Sequence, residues 1–253
     1  MRAWATRRRF PASRPLFLWV TCAISATLIL LAMFLYGFLA VNHPIGEGIL
    51  VVDAWIPEAT LAASANVFQS GRYRYLIVVG GPQGEETSRF DGPAANVDLA
   101  AAHLESLGVD PAKLIRISVP NDSLGRTFGR AVAVRQWLDR SGVSVCCADV
   151  FTVGVHARKN WILFRHALGG NYRVGIISGP EVRYNPRFWF ASRAGIWVVI
   201  RNLAGYLYSR AWILFDGKGA QSLSGTDFQS PRQPGDSVIS REQRQVPQSS
   251  EQC

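Results

Sequence analysis

Val150-Phe151-Thr152-Val153-Gly154-Val155-His156-Ala157-Arg158-Lys159 is the stretch that decides the fold. Its first four residues are apolar or β-branched, the composition of a strand covered on both faces. Gly154 breaks the run, and a helical pattern over 156–168 follows, stopped by Gly169-Gly170. Strand, glycine turn and helix make half of a βαβ unit. The free N–H groups and dipole at such a helix start favour an anion, and open α/β sheets bind ligands beyond their strand C-termini. His156 is therefore a candidate acid, base or phosphate contact. Arg158 and Lys159 are candidate anion contacts, and Thr152 offers a hydroxyl. The bland alternatives are an exposed cap-region histidine, solvated basic groups and a packed threonine.

The same alternation extends outward in both directions. Residues 49–55 form an apolar run ending near Asp53, and Pro57 marks the turn into a helix over 58–70 that Gly71 closes. Strands are expected at 75–79, 114–119, 143–153 and 173–178, with helices at 93–107 and 126–140. About five strand–helix alternations at βαβ spacing predict a mostly parallel sheet with helices on both faces and right-handed crossovers. Strand order is not readable from this pattern.

Residues 16–41 carry no charge, a run longer than the roughly 20 residues that cross a bilayer as a helix. Arg2, Arg7, Arg8, Arg9 and Arg14 precede it with no acid among them, so the N-terminus is expected in the cytoplasm and the domain outside. A cleaved signal peptide is the rival. The run is long for one, and Phe38-Leu39-Ala40 is a poor cleavage site. The expected organisation is a basic N-terminus over 1–15, an anchor over 16–41, a linker over 42–48, a domain over 49–215 and a disordered tail over 216–253. The tail is rich in Gln, Ser, Gly and Pro and cannot bury enough surface to order itself.

Net charge is +9, but the arginine-rich start supplies much of it. The remainder is mildly basic and forms no stripe, which excludes nucleic acid as an expected partner. Cys146 and Cys147 are neighbours on an expected strand, so they should point to opposite faces and pack. No Cys-x-x-Cys spacing occurs, so no structural zinc is expected, and no residue is assigned as a metal ligand. Residues 193–215 are apolar with Arg193, Arg201 and Arg210 spaced through them. Three readings stand: a core helix covering the sheet, a helix on the membrane surface, or a second span.

Other candidate groups fall at the same sheet edge. Gly80-Gly81 follows the second strand and would let backbone approach a phosphate, or merely turn tightly. It is neither a Gly-x-Gly-x-x-Gly fingerprint nor a P-loop, so no nucleotide cofactor is implied. Arg126-Thr127, with Arg130, opens a helix and offers guanidinium forks and a hydroxyl to an anion. Asp53 and Glu85 are candidate bases beside His156. Together with Glu58, Glu86 and Asp91 they would alternatively hold a divalent ion or neutralise the arginines. The absence of Gly-x-Ser-x-Gly disfavours a serine hydrolase.

Taken together, residues 49–55, Leu76-Ile77-Val78-Val79-Gly80-Gly81, the Arg126-Thr127 helix start and Thr152-x-x-x-His156-x-Arg158 resemble the SanA, YdcF and ElyC group of bacterial envelope proteins, over about residues 45–210. The chain departs from that pattern at Gly92-Pro93-Ala94-Ala95 and at Arg130. The resemblance implies a Rossmann-like three-layer α/β/α domain anchored in the inner membrane, with an anion or phosphate pocket at the strand C-termini. It also implies a link to peptidoglycan or lipid-carrier processes and a lipid-linked or other phosphate-bearing envelope precursor as partner. Three functions remain open on these grounds: hydrolysis or transfer of such a substrate, its non-catalytic binding by a scaffold protein, or nucleotide or S-adenosylmethionine binding by fold analogy.

Overall fold

The computed structural model describes residues 13–81, 97–119 and 126–215. The basic residues before Ser13, the loop holding Glu85, Glu86, Arg89 and Asp91, the stretch Asn121-Asp122-Ser123, whose side chains suit a helix N-cap, and the tail lie outside the described residues.

Five parallel strands form one sheet: β1 (Glu47–Asp53), β2 (Arg72–Gly80), β3 (Leu114–Ser118), β4 (Cys147–Val153) and β5 (Arg173–Gly179). Their order is β3-β2-β1-β4-β5, with every neighbouring pair parallel. This is the three-layer α/β/α class expected from the alternation. Side chains alternate across each strand, and the two cores divide accordingly. Leu50, Val52, Leu76, Val78, Phe151 and Val153 pack under α2 (Glu58–Ser70) and α3 (Val97–Ser106). Ile49, Val51, Ile77, Val79, Ala148 and Val150 pack under α4 (Arg126–Ser141) and α5 (Ala157–Leu168). Each fully buried Val, Leu or Ile contributes about 1.5–3 kcal/mol over leaving it in water. The chain winds outward through β2 and β3, crosses back through α4 and winds out again through β5. The order therefore reverses between β1 and β4.

The N-terminal helix α1 (Ser13–Leu39) precedes the sheet. Its segment Phe17–Leu39 has 23 residues, is strongly apolar and has none of its most apolar window buried in the protein. At 1.5 Å per residue it is about 34 Å long, enough for a hydrocarbon core of about 30 Å. Only its last turns meet the domain. There Leu39 joins Val155, Tyr184, Trp189 and Val199 in a third apolar cluster.

The segment after α1 is more than a linker. It runs antiparallel along β5, where Asn42 Oδ1 accepts from Ser178 N–H at 3.4 Å. His43 and Ile176 exchange backbone bonds at 2.8 and 3.0 Å. The chain then meets Asp149, a fully buried carboxylate on β4. Asp149 accepts from Ile45 N–H at 2.9 Å, Gly46 N–H at 2.8 Å and the Tyr73 hydroxyl at 2.6 Å. A Cβ on Gly175 would collide with Asp149 Oδ1, so only glycine leaves room for this carboxylate.

Two expectations need correction. The fourth strand begins at Cys147, so Cys146 lies before it and is exposed, and the two sulfurs are joined in a disulfide rather than packed on opposite faces. The last helix, α6 (Arg193–Phe215), does not cover the sheet. It lies on α5, on the end of α1 and on a 3-10 stretch, Pro186–Ala191, burying Gly195, Val199, Asn202 and Ser209. Among the described residues, α1 is the single helix long and apolar enough to span a bilayer.

Candidate functional site

Reversal of strand order opens a crevice beyond the C-termini of the strands on either side, here β1 and β4. The register pairs Asp53 with Val79 and Val52 with Phe151, so the ends of β1, β2 and β4 are level. Asp53 ends β1 there and is 2% exposed. A carboxylate that deep needs partners, and it has three kinds. Arg130, from the second turn of α4 and 7% exposed, places a guanidinium nitrogen 3.4 Å from Asp53 Oδ1. The Asn160 amide of α5 donates to Asp53 Oδ2 at 3.0 Å and faces Thr152 Oγ1 at 3.2 Å. The Trp55 indole also bonds the carboxylate. Burial pushes the Asp53 pKa up, against the opposing pull of Arg130, Trp55 and Lys159.

His156 closes a 3-10 turn, Gly154–His156, that joins β4 to α5. The turn requires Gly154, whose φ of +47° lies in the left-handed region. A Cβ there would also sit 3.0 Å from the Tyr36 hydroxyl of α1. The His156 ring lies against Trp55, with centroids 4.7 Å apart, and its Nε2 is 3.4 Å from the Asn202 amide of α6. Burial lowers its pKa well below 6.5, and the charges of Lys159, Arg183 and Arg201 lower it further. The imidazole is therefore neutral near pH 7 and able to accept a proton. Arg183, one of those charges, is held by Glu181 through two side-chain bonds of 2.8 and 2.6 Å.

The structure thus joins Asp53, Arg130 and Thr152 in one buried network through Asn160, and Lys159 acts electrostatically on both Asp53 and His156. Gly80 and Gly81 are buried just beyond Val79, the register partner of Asp53. Thr127 lies one turn before Arg130 on α4, and Arg126 opens that helix. Arg158 points elsewhere. Its Nε donates to the Phe38 carbonyl, and its guanidinium lies 3.9 Å from the centroid of the Phe38 ring. It caps the C-terminus of α1, where helix carbonyls lack partners and a positive charge is favoured. Glu85 lies outside the described residues.

Asn160, Trp55 and Asn202 were not anticipated. Asn160 had a readable signal, because it falls on the buried stripe Ala157, Asn160, Leu163, Phe164 and Ala167 of α5. A polar residue at a core position needs a bonded partner. Asn202 falls likewise among Gly195, Val199 and Ser209 on α6.

Glu47, Cys146 and Cys147 bring their ligand atoms within 4.8 Å of one another at the opposite edge of the sheet. The two sulfurs are bonded to each other and so offer no thiolate pair. Comparison of the chain with protein-family models, with curated proteins and with solved structures found no match.

Proposed function

We propose that this chain is an envelope protein of the bacterial inner membrane, of the SanA, YdcF and ElyC kind, whose sheet edge holds the phosphate of a lipid-linked precursor. One observation carries the reading: the ligand edge of the sheet is the edge that meets α1. Gly154 lies against Tyr36, Val155 packs on Leu39 and Arg158 holds Phe38. Tyr36 is three residues from the end of α1, or about 5 Å along the helix axis. The turn bearing His156 therefore stands close to the boundary between acyl chains and headgroups, within side-chain reach of lipid phosphates. The arginines before the span favour an N-terminus inside and a domain outside. The disulfide Cys146–Cys147 suits an oxidising, extracytoplasmic compartment.

In this reading Lys159, Arg126, Thr127 and the backbone at Gly80-Gly81 take the phosphate. Neutral His156 accepts the proton of an attacking water as its oxygen bonds phosphorus and the bond to the leaving oxygen breaks. The test uses the full chain in nanodiscs, titrated with polyprenyl phosphate and polyprenyl pyrophosphate, scoring bound lipid and released inorganic phosphate. Saturable binding weakened by Lys159→Ala, with release abolished by His156→Ala, is the expected result. No binding and no release with either lipid defeats the proposal.

A second reading, binding without chemistry, is favoured by the engagement of two of the proposed anion contacts. Arg130 is paired with Asp53 and Arg158 with α1. Binding with no product, lowered only in affinity by His156→Ala, is its signature.

A further inference from the structure

We infer that Phe188 and the exposed face of α6 lie in the lipid interface, so that the domain is partly sunk in the bilayer rather than held above it. The inference does not depend on which ligand the sheet edge takes. It starts from depth. The Trp189 indole N–H donates to the carbonyl of Ala32 at 3.0 Å. Ala32 is seven residues before the end of α1, or about 10 Å along its axis. The span exceeds the hydrocarbon thickness by only about 4 Å. Centred and upright, α1 therefore puts Ala32 about 8 Å inside the hydrocarbon boundary. Trp189 is drawn to that level, and interfacial helices lie about 5–10 Å deep.

The surface around Trp189 suits that position. Phe188 and Trp197 are each 58% exposed, and Ile196 and Ile200 are about half exposed. At helical spacing Trp197, Ile200, Ala204, Leu207, Tyr208 and Ala211 form one outward apolar stripe, with Arg201 and Arg210 toward its two margins. Arg187 and Arg193 are exposed at the same end as Trp189. Apolar groups flanked by arginines, with Trp and Tyr between, are the composition of a helix lying among lipid headgroups. Helix α6 also lies beside α1, since Tyr206, on its inward side, meets Phe38 edge-on at 5.5 Å between centroids. In water this contiguous apolar face would be unfavourable.

The test is nitroxide accessibility of the full chain in nanodiscs, in a Cys22→Ser, Cys253→Ser background. Labels are placed through Phe188→Cys, Trp197→Cys and Ile200→Cys, with Leu28→Cys as the lipid reference and Arg140→Cys as the aqueous one. Collision with oxygen is expected to exceed collision with a water-soluble nickel chelate several-fold at 188, 197 and 200, as at 28, and the reverse is expected at 140. Nickel-dominated collision at all three α6-side positions overturns the inference and places the face in water. Spin–spin broadening there that disappears on dilution with unlabelled chain overturns it too, since a second copy would then cover the stripe. All labelled positions are exposed, and circular dichroism of each variant confirms that the fold is retained.

Discussion

Removing one partner of the Asp53–Arg130 pair separates a buried, coupled unit from two independent polar groups. At 3.4 Å and an effective dielectric constant of about 20, the attraction is about 5 kcal/mol before desolvation is subtracted. Because both residues are almost wholly buried, Arg130→Met leaves a carboxylate with only the Asn160 and Trp55 bonds. Orphaning one member of such a pair costs about 3–5 kcal/mol. At about 2–4 °C per kcal/mol for a domain of this size, the melting temperature should fall by roughly 10 °C. Asp53→Asn should cost a similar amount by stranding the guanidinium. The double variant should recover most of the loss, because an amide beside Asn160 and a methionine carry no unpaired charge. The deficit of Arg130→Met should also shrink in acid. Burial already raises the Asp53 pKa, and without the guanidinium the carboxyl takes up a proton more readily in the folded state than in the unfolded one. Thermal melts by circular dichroism of the full chain in detergent, at pH 5 and pH 7.5, measure all of this. Melting temperatures of both single variants within about 2 °C of the parent, or a double variant no better than the worse single, would refute the coupling.

Three further outcomes are expected. His156 is held neutral in the fold, so its contribution is complete above pH 6.5 and is lost as pH falls below 6.5 toward its depressed folded value. His156→Gln should flatten the pH dependence of the urea midpoint between pH 5 and pH 7, and an unchanged slope would count against a buried neutral imidazole. Gly154→Ala forces a side chain into the left-handed region against Tyr36 and should cost about 1–2 kcal/mol, read as a lowered melting temperature. In intact cells carrying Cys253→Ser, a membrane-impermeant maleimide should label the chain after external reduction and not before. Labelling without reduction would argue against an oxidised Cys146–Cys147 pair on the outer side.

The sheet was legible because its strands are buried on both faces and read as continuous apolar runs, such as Ile49–Val52 and Leu76–Val79. Helix α2 was legible to its ends because Pro57 and Gly71 bracket it. Strand order was not legible, since parallel pairing joins residues as far apart as Val51 and Val150 and leaves no local mark. The start of β4 was misplaced because the β-branched residues Val143 and Val145 extend the apolar pattern backward past the bend at Cys146. At the site, Asp53, Thr152 and His156 could be placed because they end strands or open a helix. Arg158 could not be placed, because adjacent helical residues point about 100° apart. Only the three-dimensional position of the Phe38 carbonyl, which the helix itself leaves without a partner, shows which of Arg158 and Lys159 turns toward α1.

The bonds from residues 42–46 to β5 and Asp149 leave no slack between lipid and sheet. A tethered domain on a free linker would swing and meet head groups at any height. This one has a fixed reach, and under the function proposed above it would sort membrane-borne molecules by how far their reactive group stands from the acyl chains. Insertion of a few flexible residues between Leu39 and Asn42 would abolish that discrimination while leaving every side chain of the sheet edge in place.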